Sequence, residues 1–558
     1  MSWHKLPAEL KSEVVSYFEL PRLELGSRSP SPEYLLNRSD LRNLCLASQS
    51  MAELAQPVLY RTIILHRESR SAKIYQTSYE AEGYYAERIR GEACFGLRSS
   101  VLCAVLPLLR TLIHRPHLRS HITYLACLYS IGGVPGYTLV LDPEIIFKGW
   151  KARSQEFSDT RCFERQVLDM AGLPISPLDS TYERPDTVAR DETNAANLPQ
   201  TDDTQFGQRL LAAVFCLLPE VDTVLLEAYD VRAGNVMHGI LERYLTNAAT
   251  ASAVLPKLAT LQLQVNELPG QRIEHRSMVA FNTVYALLGL PTLRHIETWR
   301  DDGFQSFFNR TERRGPRMGP NINHRDWLPK METMTLRTAN YNCGYFYATC
   351  EAATSLRRLE LQALEIDWGH YNAKLHSEAT LNAALLLRAD TLEELSLGAF
   401  GRHDRLHLDG ASGRLVCLPA MARLRVLRID VFMLFGTPSE MIDRLSLPDL
   451  LPPNLERLDL CDGWYSANPR LGRFQFDRSE RHLEALVRQF EGLAEAVRPR
   501  QDQQPLSRLR SVHLRPGLKC ARQDWLRQWQ LRKIVDLLDQ VGVVFTHVLP
   551  PPDAEEKS

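Results

Sequence analysis

The sequence predicts an α/β protein built as a solenoid, in which each unit gives one strand to a parallel sheet and one helix to the layer behind it. Three observations carry this. A phrase seen most plainly as LPKLATLQL, from Leu255 to Leu263, opens on Leu-Pro and places apolar Leu258, Leu261 and Leu263 at fixed steps after the proline. The phrase recurs: its prolines Pro219, Pro256, Pro291 and Pro329 stand 37, 35 and 38 residues apart. Between the copies lie stretches with apolar residues at helical spacing. A fixed period of a few tens of residues marks a repeat architecture in which each unit buries its face against its neighbours.

Composition narrows the function classes. The 558 residues hold 66 Lys and Arg against 67 Asp and Glu, a net charge of −1 with neutral histidines. Such a balance provides no field to collect nucleic acid or an anionic membrane surface. The 11 cysteines are odd in number and nowhere arranged as C-x-x-C, which points to reduced thiols rather than a disulfide framework or zinc site. The start, MSWHKLPAEL, lacks the basic and apolar regions of a signal peptide, and no apolar run approaches the roughly 18 residues of a membrane span. Cytosol or nucleus is the expected compartment.

Residues 1–65 read as a separate helical module. Leu6, Leu10, Val14 and Phe18 recur every fourth residue, so residues 7–18 form an amphipathic helix with Pro7 in its first turn. A Pro- and Ser-rich link comes next at 20–39, where Ser29 and Ser31 each precede proline, a pattern compatible with phosphorylation. Asp40 is the expected N-cap of a second helix carrying Leu41, Leu44, Leu46, Met51 and Leu54 up to a break at Pro57. Val58–Leu65, rich in β-branched and aromatic residues, reads as a strand. So few helices cannot bury a self-sufficient core. The module must therefore lean on the repeats, and an end cap on them is its plain reading.

The segments LPAELKSEVVSYF and DLRNLCLASQSMAELAQPVLYRTI, within residues 5–65, resemble an F-box running into the first strand of a fungal F-box protein with irregular leucine-rich repeats. The specific parts are Leu6-Pro7-x-Glu9-Leu10 and Asp40-Leu41-x-x-Leu44-x-Leu46-Ala47-Ser48. The resemblance implies a helical hook docking on the Skp-type adaptor of a cullin-RING (SCF-type) ubiquitin ligase, through Leu6, Pro7, Leu10, Val14, Phe18, Leu41, Leu44 and Met51. Through that adaptor it also implies cullin and RING subunits as partners, and an unknown protein substrate. The 20–39 link is longer than that motif normally has.

The solenoid is expected over 66–549. Residues 101–127 form an irregular first repeat, with a helix and then a strand around Ile122 and Leu125. Residues 171–205 carry four prolines and seven acidic residues against two arginines, which predicts a mobile loop. From Val221 onward the first apolar position of each strand is succeeded by the next after 37, 35, 38, 25, 36, 32, 31 and 54 residues. The last gap holds a helical stripe, Leu483, Val487, Phe490, Leu493 and Val497. Trp525–Val541 reads as a helix ended by Gly542, VVFTHV as a last strand, and 550–558 as a disordered tail.

With the leucines inward, alternation sends the intervening residues to the opposite, concave face of the sheet. They include Thr223, Glu227, Gln262, Gln264, Trp299, Arg337, Arg358, Glu360, Arg428, Arg457, Asp459 and His513. Aromatic and arginine anchors dominate protein-recognition patches, which selects Trp299, Arg337, Arg358 and Arg428 as candidate substrate-binding residues. No phosphate loop, nucleophile elbow or paired Cys and His indicates an enzyme, and no cofactor is implied. His403 and His407 have the spacing of two metal ligands on a helix but sit on a glycine-bounded loop without a third ligand, so no metal site is expected there. Arg310, Arg313, Arg314 and Arg317 read as a solvated loop. The sequence leaves three readings: a non-catalytic substrate receptor of a ubiquitin ligase, a repeat scaffold without that role, and a metal-dependent hydrolase at His403 and His407, which metal analysis would expose.

Overall fold

The computed structural model describes residues 6–27, 29–65, 105, 108–128, 211, 213–228, 245, 254–265, 287–299, 328–338, 343–363, 378–399, 415–435, 445–462, 480–498, 506–516 and 524–547. The loop at 171–205, the histidines at 403 and 407, the arginines at 310–317 and the tail at 550–558 lie outside them. The chain divides into two compact units, Met1–Leu293 and Arg294–Ser558.

The first unit holds helices α1 (Ala8–Ser16), α2 (Pro32–Ala47) and α3 (Gln49–Arg61), then strands β1 (Thr62–Leu65), β2 (Tyr124–Cys127), β3 (Thr223–Ala228) and β4 (Thr260–Val265). Each strand pairs in parallel with the next, in chain order. The second unit continues the pattern with β5 (His295–Trp299), β6 (Thr333–Thr338), β7 (Arg358–Ala363), β8 (Glu394–Ala399), β9 (Val426–Asp430), β10 (Arg457–Asp462), β11 (Ser511–Pro516) and β12 (Val544–His547). These too pair in parallel and in order. The α/β parallel sheet expected from the repeated phrase is therefore present.

The phrase has a definite local structure. Its leucine carbonyl accepts a hydrogen bond from the amide three residues on, as in Leu258 N to Leu255 O (3.0 Å), Met331 N to Leu328 O (3.0 Å) and Leu509 N to Leu506 O (3.0 Å). Where the phrase keeps its proline, that residue holds the second position of this turn, where its fixed φ is already right. Leu255 and Leu506 pay for the corner with positive φ, 44° and 73°, a strained state for a leucine that full burial of both side chains offsets. Just before many of the strands one carbonyl takes two amides from the next unit. Ala259 and Thr260 both donate to Asp222 O (2.9 Å), Arg357 and Arg358 to Glu332 O (2.9 and 3.0 Å), and Glu456 and Arg457 to Arg425 O (2.8 and 2.9 Å). The spacing between units thus varies in the connections while the corner and strand stay constant.

Apolar positions of the phrase form the core: Val221, Val224, Leu226, Leu258, Leu261, Leu263 and Leu293 of the first unit are fully buried. Met331, Met334, Leu356, Leu392, Leu424, Leu427, Leu455, Leu458 and Val512 of the second unit are too. There α4 (Glu480–Val497) and α5 (Asp524–Asp539) pack together near β12, with the Phe490 and Phe545 rings edge to face at 5.8 Å. Gly542 closes α5 at φ 79°, as a C′ glycine should.

The helical module departs from expectation in three places. Its second helix begins at Pro32, N-capped by Ser31, whose Oγ accepts from Tyr34 N; Asp40 lies inside the helix. The break falls at Ser48, which N-caps α3, and Pro57 sits within α3 without ending it. Helix α3 then runs to Arg61, so the strand starts at Thr62 rather than Val58. The link is accordingly short, Tyr17–Ser31, and the module has three helices. A serine before a proline at N1 is a stronger start signal than an aspartate inside a run of good helix formers.

The module, whose α3 leads straight into β1, also reaches over the first strands. Tyr34, Leu41, Met51, Ala55 and Val58 share a buried cluster with Ile64 of β1, Tyr124 and Ala126 of β2 and Leu225 of β3. These strand residues alternate with the leucine positions, so the module lies on the opposite, more polar face of the first strands.

Candidate recognition faces

The residues expected to dock an adaptor separate into two groups. On α1, Leu10 and Val14 are 46% and 40% exposed, Pro7 is exposed and Leu6 half-buried. Leu41 and Met51 are inside the module's own core, while Phe18 and Leu44 pack against it. Leu41 and Met51 are therefore closed off by the module itself, while Phe18 and Leu44 stay partly exposed. Helical periodicity marks an apolar face without saying what covers it, which is why the two groups look alike in the sequence. Four apolar residues outside the set expected to dock are exposed: Tyr17, the C-cap of α1 one turn beyond Val14, and Leu35, Leu36 and Leu46 on α2. Leu35 and Leu36 lie within the 20–39 stretch whose prolines and serines masked the start of a helix.

The sheet face expected to bind a target is occupied in the first unit. Thr223, Glu227 and Gln264 are buried there. Gln264 is closed over by residues 20–27, accepting from Gly26 N (2.9 Å) and donating to Ser27 O (3.0 Å). Arg22 reaches Thr223 Oγ1 (3.0 Å) and Asp222 Oδ2 (3.2 Å), with its guanidinium 5.3 Å from the Tyr124 ring centre. The segment therefore covers this face at Tyr124, Thr223 and Gln264.

In the second unit the same face carries two polar clusters. The Arg337 guanidinium stacks 5.5 Å from the Trp299 ring centre and donates to Glu360 Oε1 from Nη2 (3.0 Å). Gln362 Nε2 donates to the same oxygen at 2.7 Å. Glu360 is buried, so it serves as a post that fixes both side chains, leaving the edge of the stacked Trp299–Arg337 pair half-exposed. The second cluster is organised by Asp459, also buried. Arg428 Nε donates to its Oδ2 (2.9 Å), and Arg457 grips both oxygens through Nε (2.8 Å) and Nη2 (3.0 Å). That hydrogen-bonded carboxylate raises the pKa of Arg457.

Trp299 and Arg337 are thus brought together, while Arg428 belongs to a different cluster three strands from Arg337, about 14 Å at the spacing of paired strands. Arg358 stands between them in an exposed ion pair with Glu394 (3.3 Å). The four chosen residues form a line rather than a single pocket. Missed as anchors were Glu360, Asp459 and Arg457, because sequence alone shows charges of both signs and not which carboxylate lies under which guanidinium.

His513 faces Asp459 at 3.9 Å through Nε2 and hydrogen-bonds Thr546 Oγ1 through Nδ1. The order Asp459, His513, Thr546 mimics that of a nucleophilic triad, but at 3.9 Å the imidazole is beyond hydrogen-bond distance of Asp459, whose two oxygens take the two guanidiniums. No group of His, Cys, Asp and Glu among the described residues could hold a metal. Cys45, Cys127, Cys216, Cys350, Cys417 and Cys461 form no disulfide, and burial pushes the Cys216 and Cys417 thiols up to about 12. None of the described helices is long and apolar enough to cross a membrane.

No family model matches the sequence, and no curated protein is found to be similar to it.

Proposed function

We propose that this chain is a non-catalytic substrate-recognition subunit of a cullin-RING ubiquitin ligase, acting in the cytoplasm or nucleus. The helical module would engage a Skp-type adaptor and the open sheet face a target protein. The observation that carries the reading is the exposed stripe Pro7, Leu10, Val14 and Tyr17 along α1, on a module whose own core is already closed by Leu41, Met51 and Tyr34. A surface helix that needed only to fold would turn such a stripe inward. Leu35, Leu36 and Leu46 add exposed apolar area on α2. The target face is supported by Trp299, Arg337, Arg358, Arg428 and Arg457 on strands β5–β10, aromatic and arginine side chains of the type that anchor protein interfaces. Catalysis would then be a matter of proximity, the lysine modification being done by other subunits.

The test is co-purification of the full-length chain with a Skp-type adaptor, beside a Leu10→Glu, Val14→Glu double variant. Capture by the wild type and loss in the variant, with an unchanged melting curve, is the expected result. If the wild type captures no adaptor, the ligase role is wrong and a repeat scaffold remains. For the second face, alanine at Trp299, Arg337, Arg358 and Arg428 together should abolish capture of a target found with the wild type.

A further inference from the structure

Residues 20–27 take an unexpected course for a link between two helices. They cross the face of the first unit strand by strand. Leu20 O accepts from Thr62 Oγ1 of β1 (3.2 Å), and Leu23 O accepts from Tyr124 Oη of β2 (3.4 Å). Arg22 bonds Thr223 of β3 and the preceding Asp222, and Gly26 and Ser27 meet Gln264 of β4. Successive strands lie about 4.8 Å apart and an extended chain rises about 3.3 Å per residue, so two residues per strand suffice for the crossing. The segment uses six or seven residues for three intervals.

Two features distinguish this from a loop resting on a surface. Leu20 and Leu23 are buried among Tyr124, Ala126 and Leu225. Gln264 is fully buried, and its carboxamide bonds a backbone N–H and a backbone C=O of the segment. A buried carboxamide must be satisfied, and the segment that covers Gln264 supplies both of the bonds that satisfy it. Gly26 makes the approach possible with φ 93°, which a side chain would strain.

We infer that residues 20–27 are a clasp that locks the helical module onto β1–β4 in one orientation, with Gln264 and Arg22 as positioning residues. Helix α1 leads directly into the clasp and α2 leaves it, so the exposed stripe of α1 is carried at a fixed attitude to these strands. For the adaptor, this rests on the function proposed above: the clasp would set the angle at which the adaptor is held.

Hydrogen exchange on the full-length chain tests the clasp without any partner. In Gln264→Leu, which keeps the bulk and loses both hydrogen bonds, amides of 22–27 should exchange at least tenfold faster while those of β3 and β4 stay within twofold. Genetically encoded nitroxide labels at positions 13 and 257 should give one narrow distance in the wild type and a broadened distribution in the variant. Arg22→Ala alters a half-exposed side chain and should shift both readouts the same way by less; it decides the matter if Gln264→Leu unfolds the unit. Unchanged exchange at 22–27, or an unchanged distance width, overturns the inference. Adaptor capture by these variants should stay within twofold of the wild type. If the wild type captures none, the adaptor reading fails, while exchange and distance still judge the clasp.

Discussion

Replacing Asp459 by asparagine removes the charge at the centre of the second cluster while keeping its shape. The carboxylate accepts three bonds, one from Arg428 and two from Arg457, and its side chain is only 4% exposed. A hydrogen bond to a charged group is worth about 1.5–3 kcal/mol net when shielded. The arginine side chains are 36% and 39% exposed, so water replaces much of what they lose, and the substitution should cost about 2 kcal/mol in all. Local opening of β9–β11 would become about 30-fold more frequent, and the melting temperature of a unit this size would fall by about 4–6 °C. Hydrogen exchange at the amides of Arg428, Asp459 and His513 is the direct assay. A change below about threefold would refute the idea that this carboxylate organises the face. As a control, leucine at all three of Asp459, Arg428 and Arg457 should cost less than Asp459→Asn, because no guanidinium is left without its counter-charge.

Other substitutions probe separate parts of the molecule. Lys330 is half-buried beside Arg294, and burial first, then that neighbouring charge, lowers its pKa to about 8. The unfolded chain therefore binds more protons between about pH 8 and pH 10.5, and stability rises with pH across that window. Lys330→Met should stabilise the protein by on the order of 1 kcal/mol at pH 7 after solvent screening, a gain that urea titrations should find fading above pH 10. Leu41→Ala should cost about 2–5 kcal/mol in thermal unfolding, whereas Val14→Glu should cost under about 0.5 kcal/mol. Equal effects would mean the core and surface of the module are wrongly divided. Gly542→Ala, at φ 79° with open space around it, should cost about 1 kcal/mol through backbone strain alone.

The repeats were legible because period, corner and alternation are local properties. Leu258, Leu261 and Leu263 announce a buried strand face whatever surrounds them, and every strand from β3 to β11 falls where that pattern places it. The module was less legible. Asp40 and Pro57 are ordinary boundary signals, yet both lie inside helices, since Ser31 and Ser48 offer caps that bond the amide three residues on and the packing of α2 and α3 keeps Pro57 within a turn. Trp299 and Arg337 do stand as neighbours on one face, as alternation requires, but Glu360 beneath them gave no sign of itself, because a buried glutamate and an exposed one look alike in sequence.

The sequence by itself determined the α/β parallel sheet and which side chains face its core, since both derive from steps of two and three residues. Only the tertiary structure decided what becomes of the other face. In the first unit Gln264 and Thr223 lie beneath residues 20–27, more than 190 positions earlier in the chain. In the second, buried carboxylates fix the arginines that remain open. Periodicity says that a face exists. What covers it is a long-range contact, chosen by the burial of Leu20 and Leu23 and by the satisfaction of one buried carboxamide, and no local pattern encodes it.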